Sequence, residues 1–301
     1  MNNQNQNINL NKLAVNIDSA GSRLDKFLAK NGYGFTLAQK LLRQKDVKVN
    51  SKKVGGDHRL EQGDEVQIFG NLQTKGQAPS KPKVSEEKIK LIKKSIIYQD
   101  ENLIAIDKQA GIAVQAGSPN DFSIDAALPY LKFDSQETPR LVHRLDRDTS
   151  GILLLARNRK TATLLTDGFK NKTIKKTYLA LVKGIPNKAE DTISMPLLEK
   201  SFGNIKKVFK DSLGKEAITN YKILKTFHDY SLLELKPITG RMHQLRVHCK
   251  EIGHQIIGDG KYGKKLEIYK NRLCLHSFKI EIADFFGKEL VIESQKPDFI
   301  G

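Results

Sequence analysis

The chain has 301 residues, 39% of them hydrophobic, and carries 51 Lys and Arg against 34 Asp and Glu, a formal net charge of +17. This length and composition suit about two globular domains and exclude a wholly disordered chain. The longest apolar runs, such as Ile152 to Ala156, are far shorter than the roughly 20 residues of a membrane-spanning helix. The charge predicts a polyanionic partner such as nucleic acid. With two cysteines and no secretory signal at its Asn/Gln-rich start, we expect a reducing cytoplasmic setting and no disulfide framework.

The first predicted domain covers residues 12–71. Apolar residues recur at helical spacing in two short segments: Leu24, Phe27, Leu28 and then Leu37, Leu41, Leu42. Alternating residues around Val47 to Val49 and Glu65 to Phe69 predict short strands after the helices. The second helix carries Lys40, Arg43 and Lys45 on its polar side. A solvated helix face is one interpretation of these cations.

The combination of this basic helix with the flanking motifs resembles the S4 RNA-binding module. The motifs are Arg23 to Leu28, Val47 to Asn50 and Gly63 to Val66. The resemblance implies a small α/β domain in which Lys40, Arg43 and Lys45 contact structured RNA.

Residues 72–94 are predicted to be a basic linker. The segment holds 7 basic and 2 acidic residues, contains Gly76, Pro79 and Pro82, and shows no sustained apolar period. We expect a tether that also reaches RNA phosphates.

Residues 95–301 are rich in predicted strands. The strands are Ser95–Tyr98, Leu103–Ile106, Ile152–Ala156, Tyr178–Val182, Ala217–Phe227, Ser231–Lys236, Leu273–Ile282 and Glu289–Ile292; the helices are Ser123–Leu131, Lys160–Lys170 and Met242–Ile252. Paired strands with interspersed helices predict an α+β domain on a mixed, largely antiparallel sheet.

The densest chemical motif is the nine residues from His143 to Gly151. In its last four residues, Asp148 to Ser150 can close a turn through local hydrogen bonds from side chain to backbone, and Gly151 can adopt a backbone conformation that other residues avoid. Turn closure does not explain Asp146, which lies between Arg144 and Arg147. A carboxylate beside fixed cations suits a nucleophile or a base acting on an electron-poor carbon.

A second motif, Thr239 to His248, is dense in cationic and titratable residues, with Thr239 as a possible helix cap. Metal binding is not expected, because His243 and His248 are five residues apart, about 140° around a helix. Gly258 to Gly263 matches a dinucleotide-binding glycine pattern but lacks the strand before it and the helix after it, so we interpret it as tight turns.

These motifs together resemble the catalytic domain of family A of the ribosomal large-subunit RNA pseudouridine synthases. Further matching segments are Lys176 to Gly184, Leu235 to His248, Gly253 to Gly263 and Leu275 to Ser277, with a predicted long loop after Pro196 to Leu198. The resemblance implies an isomerase that needs no metal or other cofactor. It also implies that the partner is 23S rRNA or a large subunit under assembly, with uridines around the peptidyl-transferase centre as targets; we expect a monomer without a membrane partner.

The resemblance assigns roles to individual residues. Asp146 is the essential carboxylate, Arg246 its paired arginine, Tyr178 the ring that stacks on the uracil and can help to remove its C5 proton, and Arg144 the side chain that fills the space left by the flipped base. From the residues alone, Tyr178 remains open to being a core tyrosine and Arg246 to being a surface cation. Arg241 and His243 are expected to contact RNA or orient the site, and Leu245 and Val247 to form the pocket wall.

Other functional classes of protein would need different residues. An RNA-binding protein without activity would not need Asp146, a methyltransferase would need a glycine site for its methyl donor, and a glycosidase would need a second carboxylate better placed than Asp148.

Overall fold

A computed structural model of the chain describes residues 10–69, 84–116, 121–203, 205–263 and 272–300. The chain forms two compact units, divided between Lys83 and Val84. The N-terminal unit contains β1 (Leu10–Ala14), α1 (Leu24–Leu28), a π-helical turn (Ala29–Tyr33), α2 (Gly34–Gln44), β2 (Val47–Val49), β3 (Lys52–Lys53) and β4 (Glu65–Phe69). Its antiparallel sheet has the strand order β1-β4-β2-β3.

The predicted helices and strands of this unit are confirmed. The three-and-four spacing of Leu24, Phe27 and Leu28 places all three in the core, and alternation in β4 buries Val66 and Ile68. Strand β1 is not among the predicted strands, because no residue in it is fully buried and its alternation is correspondingly weak.

The second unit contains most of the regular structure. Its elements are α3 (Glu86–Lys94), β5 (Ile96–Gln99), β6 (Leu103–Lys108), α4 (Ile124–Ala127) with a 3₁₀ turn (Leu128–Leu131), β7 (Arg140–Leu141), β8 (Ser150–Ala156), α5 (Arg159–Lys170), β9 (Ile174–Lys183), β10 (Glu190–Phe202), β11 (Ile205–Lys210), β12 (Lys215–Thr226), β13 (Tyr230–Pro237), α6 (Gln244–Glu251), β14 (Leu275–Ile282), β15 (Leu290–Glu293) and a 3₁₀ turn (Asp298–Ile300).

Eleven strands form one sheet with the path β11-β10-β12-β13-β9-β14-β8-β6-β5, to which β15 is added at β14 and β7 at β8. Among the described strands, β8 and β14 pair in parallel and all other neighbours pair antiparallel. The predicted α+β class with a mixed, largely antiparallel sheet is confirmed.

Strand β8 runs through the centre of this unit and is buried along its whole length. Leu153 and Leu155 pack into a cluster with Ile92 of α3 and Ile124 of α4, while Leu154 packs into a second cluster on the other face. Because both faces are covered, the strand is a continuous apolar run rather than an alternating one. The loop that precedes it is therefore anchored at a rigid end.

The predicted linker differs from the structure in its second half. Residues 70–83 lie outside the described residues, but Glu86–Lys94 form α3. Ile92 of this helix is 1% exposed, and acidic and basic residues at opposite ends complement the helix dipole. The helix is not predicted from composition, because most of its residues are charged. A single fully buried residue is enough to pack so short a helix against the domain.

The predicted long loop after Pro196 to Leu198 is wrong. Strand β10 continues to Phe202 and pairs with β11, with Leu197 opposite Lys210 and Phe202 opposite Ile205. Charged residues interrupt the apolar residues of this hairpin, so it has little apolar alternation from which a strand is predicted.

Helix α6 begins two residues later than predicted. His243 adopts a left-handed backbone conformation (φ 52°) immediately before Gln244 and so excludes Met242 from the helix. Thr239 does not cap it: its hydroxyl donates to Oε1 of Gln244 at 2.7 Å and accepts from the amide of Ile218.

Candidate active site

A cavity of about 670 Å³ lies where three parts of the second unit meet. Its lining comes from the loop between β7 and β8, from β9 and from the segment that leads into α6; it includes Asp146, Tyr178 and Arg246. The volume lies within the range of about 300–1,000 Å³ typical of small-molecule sites.

Asp146 enters this cavity from a firmly anchored loop. Leu145 beside it is 5% exposed and belongs to the core, while the carbonyl of Asp146 accepts from the amide of Thr149 at 3.2 Å. The loop is also held by Lys108, whose buried ammonium donates to the carbonyls of Gln109, Ile112 and Arg147, each at 3.0 Å. The loop therefore presents the Asp146 carboxylate, whose side chain is 21% exposed, in a fixed position.

Two nitrogens approach the Asp146 carboxylate from α6 and its start. Nη1 of Arg246 is 3.5 Å from Oδ2 of Asp146, and Nε2 of His243 is 3.8 Å from the same oxygen. The guanidinium thus attracts and orients the carboxylate without a hydrogen bond of normal length.

The main partner of Arg246 is Asp259, not Asp146. Nε and Nη2 of Arg246 donate to the two carboxylate oxygens of Asp259 at 2.9 and 2.7 Å. Burial raises the pKa of Asp259, but the hydrogen bonds and charge of Arg246 outweigh it and hold that pKa below its usual value. Asp259 also accepts from the amides of Lys261 and Tyr262, which completes a turn around the carboxylate.

His243 connects this turn to the cavity. Its Nδ1 is 2.6 Å from the hydroxyl of Tyr262, and burial lowers the pKa of His243 to about 4, although the Asp146 charge opposes that change. The imidazole is therefore neutral at pH 7 and suits orientation better than proton donation.

Tyr178 projects from β9 and packs against two core clusters. Burial raises the pKa of Tyr178 to about 12, and the charge of Asp146 contributes to the rise. The side chain is a neutral phenol at pH 7. It can provide an aromatic surface in the cavity, but it is a poor base.

His143 has a structural position. Its Nε2 accepts from the amide of Leu154 at 2.8 Å, its ring lies 4.6 Å from that of Phe169, and burial lowers its pKa to about 3. Strand β7 pairs with β8 only at Leu155 and Ala156. The imidazole of His143 therefore accepts the hydrogen bond of the next backbone amide of β8, which β7 does not reach.

Comparisons with known proteins point to one family. A family described as RNA pseudouridylate synthase matches residues 102–251. The ribosomal large subunit pseudouridine synthase C of Rickettsia bellii is 43% identical over 92% of this chain and 95% of its own length, and that of Vibrio cholerae is 34% identical over 89% and 87%. The chain belongs to the RNA pseudouridine synthase family.

The solved structures give the same answer for the fold. Human RNA pseudouridylate synthase domain containing 4 is 26% identical to this synthase, with a TM-score of 0.61 over 71% of this chain and 92% of its own. Human RNA pseudouridylate synthase domain containing 1 is 28% identical, with a TM-score of 0.57 over 67% and 83%. The predicted family and isomerase class are confirmed.

The remaining predicted residues of the synthase occupy different places. Arg144 and Arg241 are exposed and line the cavity; Nε of Arg241 donates to the carbonyl of Glu216 at 3.0 Å. Lys40, Arg43 and Lys45 are exposed on or just after α2 of the N-terminal unit. Their roles remain predictions.

Leu245 lines the cavity as predicted, but Val247 does not. Val247 is 1% exposed and packs with Leu197, Val208 and Ala217. Leu245 and Val247 are two residues apart on a helix, which rotates their side chains by about 200° relative to each other, so the two cannot face the same cavity.

Two residues of the synthase site were missed by the sequence interpretation. Asp259 lies within the glycine string that was assigned to tight turns, and a carboxylate between two glycines was the available signal. Lys108 follows the strand Leu103–Ile106 almost directly and is 0% exposed; a lysine is seldom assigned to the interior, because burying its charge is costly unless it is paired.

Within the ranges that the structure describes, no group of three His, Cys, Asp or Glu side chains is placed to hold a metal ion. His248, which the metal alternative included, is buried with neither ring nitrogen hydrogen-bonded to a described residue. No helix among the described residues has the length and apolarity to cross a membrane.

Proposed function

We propose that this synthase converts specific uridines of 23S rRNA in the large ribosomal subunit to pseudouridine, with Asp146 as the essential carboxylate. The observation that carries the proposal is the position of that carboxylate, which lies 3.5 Å from a buried arginine in the same cavity as an aromatic side chain. The similarity to large-subunit synthases C along almost the whole chain supports rRNA as the substrate. Uridines around the peptidyl-transferase centre are the proposed targets, and the uridines of a synthase D-type enzyme are the alternative.

The reaction breaks the bond between N1 of uracil and C1′ of ribose and forms a bond from C5 to C1′, with loss of the C5 proton and gain of a proton at N1. The uridine must first leave its stack, at a cost of a few kcal/mol. In the cavity the ring of Tyr178 stacks on the uracil, while Asp146 faces the sugar. Asp146 then either attacks C1′ or removes a ribose proton to give a glycal.

Arg246 orients the Asp146 carboxylate in either mechanism. Because Asp259 already engages Nε and Nη2 of Arg246, Nη1 remains directed toward Asp146. Arg144 is exposed beside the cavity and is proposed to fill the space left by the extruded base.

The N-terminal unit is proposed to be an S4-type RNA-binding domain. Exposed Lys40, Arg43 and Lys45 on or just after α2 support this role, because lysine and arginine clusters on a helix bind RNA phosphates.

The test of the catalytic proposal compares Asp146→Asn with Asp148→Asn, an exposed carboxylate two residues away. Each protein is incubated with a 23S rRNA transcript, and pseudouridine is mapped by carbodiimide chemistry. We expect Asp146→Asn to lose about 10⁴-fold or more in rate and Asp148→Asn to remain close to wild type.

Equal thermal unfolding of both variants and wild type is the control for folding. Product from Asp146→Asn at the wild-type rate would exclude Asp146 from catalysis. Absence of product from wild type on this RNA would favour a protein that binds RNA without modifying it.

A further inference from the structure

A second cavity, of about 860 Å³, adjoins the first one at the reacting carboxylate. The two cavities share Arg144, Asp146, His243 and Arg246 in their linings. We call the second cavity the basic groove, since its lining adds Arg147, Lys207, Lys261 and Arg272. A nucleotide whose base occupies the first cavity would place its backbone at the entrance of the groove.

Some cations of the basic groove already have partners. Arg272 forms two hydrogen bonds with Asp298, at 2.9 and 3.1 Å, and Nε of Arg147 donates to the carbonyl of Gly111. The side chains of Lys207 and Lys261, by contrast, make no ion pair or hydrogen bond among the residues that the structure describes. Asp148 also lines the groove but is exposed to solvent.

The two lysines lie close enough to repel each other. Burial lowers the pKa of Lys261, and the charges of Arg246 and Lys207 lower it further, while Asp146 and Asp259 compensate in part. Lys207 is half-buried, so water screens this repulsion less than it would on an open surface. An anion bound between the lysines would relieve it.

The spacing of the lysines is set by the protein itself. The amide of Val208 donates to the hydroxyl of Tyr262 at 2.9 Å, which ties β11 to the turn that carries Asp259. Lys207 and Lys261 are the residues directly before Val208 and Tyr262. This hydrogen bond links the two backbone segments, so binding would not have to bring them together.

We propose that Lys207 and Lys261 bind a backbone phosphate of the RNA next to the uridine whose base enters the first cavity. The inference rests on the proposed function, since it is the flipped uridine that brings this phosphate to the groove. Phosphate contacts set the position of a nucleic acid without reading its sequence. The lysine pair would thus contribute to the affinity for RNA at the cavity entrance, while other contacts select the uridine.

The test uses Lys207→Gln, Lys261→Gln and the double variant, with Lys210→Gln as control. Lys210 is exposed on the same strand and lines neither cavity. The substrate is a short RNA that contains a uridine which wild type modifies in a 23S rRNA transcript. We expect KM to rise about three- to tenfold for each groove lysine and kcat to change less than about twofold, because binding to a phosphate is the same before and during reaction.

Salt dependence gives a second readout. The plot of the logarithm of RNA affinity against the logarithm of salt concentration should become less steep by about one in the double variant, because the two lysines neutralise one phosphate, and should remain unchanged in Lys210→Gln. Unchanged KM and slope in the double variant would overturn the proposal.

Neutral linkages identify the phosphate. A methylphosphonate, which carries no charge, is placed in turn at each linkage that flanks the target uridine. At one linkage it should weaken binding by wild type but not by the double variant. Equal weakening of both proteins at every position would also overturn the proposal. If wild type forms no pseudouridine from 23S rRNA, the proposed function fails, and the salt slope with that transcript still decides whether the groove binds phosphate.

Discussion

Arg246 lies beside Asp146 because Asp259 holds it from the opposite side. Asp259 is 2% exposed and Arg246 is 6% exposed, so neither charge is compensated by water. Removal of one member of a buried ion pair leaves the other charge unpaired, which is costly. The chain also contains a bidentate pair at the surface, Arg272 with Asp298, whose side chains are 40% and 74% exposed and which is joined through Nη1 and Nη2 of the arginine.

We expect Asp259→Asn to reduce the free energy of unfolding by about 3–5 kcal/mol and also to reduce kcat, because Nη1 of Arg246 would no longer be aimed at Asp146. Asp298→Asn, the matched surface variant, should cost no more than about 1 kcal/mol. Urea unfolding of both variants measures the difference. Equal losses would show that burial does not decide the contribution of these pairs.

At the scale of elements, the site depends on the junction of β8 and β14. Gly151 of β8 pairs with Ser277 of β14, and Ser277 pairs in turn with Tyr178 of β9. Gly151 has a φ of +103°, and a Cβ there would lie 2.2 Å from the carbonyl oxygen of Ser277. Only glycine allows the two strands to approach so closely. The junction therefore links the strand after Asp146 to the strand that carries Tyr178.

The variant Gly151→Ala should reduce the free energy of unfolding by about 3 kcal/mol or more, because both the backbone conformation and the steric contact oppose it. Gly287→Ala is the matched control: its φ is +84°, but a Cβ there meets nothing within 4 Å. We expect this control to cost about 1 kcal/mol.

Thermal unfolding and single-turnover rates report the two effects. Any folded Gly151→Ala protein should also be slower than wild type, since the strand that follows the Asp146 loop and the strand that carries Tyr178 would separate. A loss of stability in Gly151→Ala no larger than that in Gly287→Ala would contradict the steric explanation.

At the scale of the whole molecule, the net charge of +17 is spread over both units. Helix α3 affects how the units can be separated experimentally. A truncation after residue 94, which the linker prediction suggests, would remove Ile92 from the core of the second unit. Charge substitutions in the full chain avoid this problem and test the N-terminal unit without exposing a core.

A full-length variant with Lys40→Gln, Arg43→Gln and Lys45→Gln should show weaker binding to the 23S rRNA transcript. Its salt slope should fall by up to about three, one for each lost phosphate contact, while kcat at saturating RNA stays near the wild-type value. Lys12→Gln is the control in the same unit, since that ammonium pairs with Glu65 at 3.1 Å. An unchanged slope in the triple variant would refute the proposed S4 role.

Much of the fold was predictable because its signals are local. Leu24, Phe27 and Leu28 share one face of a helix whatever they pack against, and the apolar run of β8 is typical of a strand covered on both sides. Helix α3 and the β10–β11 hairpin were not predicted, because charged residues interrupt their apolar pattern and their place in the fold depends on a neighbouring strand or on a single buried residue.

The sequence by itself determined the family, the α+β class and the motif that contains Asp146, since these depend on residue types at short spacing. Only the tertiary structure decided that Arg246 pairs with Asp259 and that Val247 faces away from the cavity. It alone also brings Lys207 and Lys261 into one groove. The reason is physical: these relations join side chains from separate elements, and their distances are set by how a strand, a turn and a helix pack together.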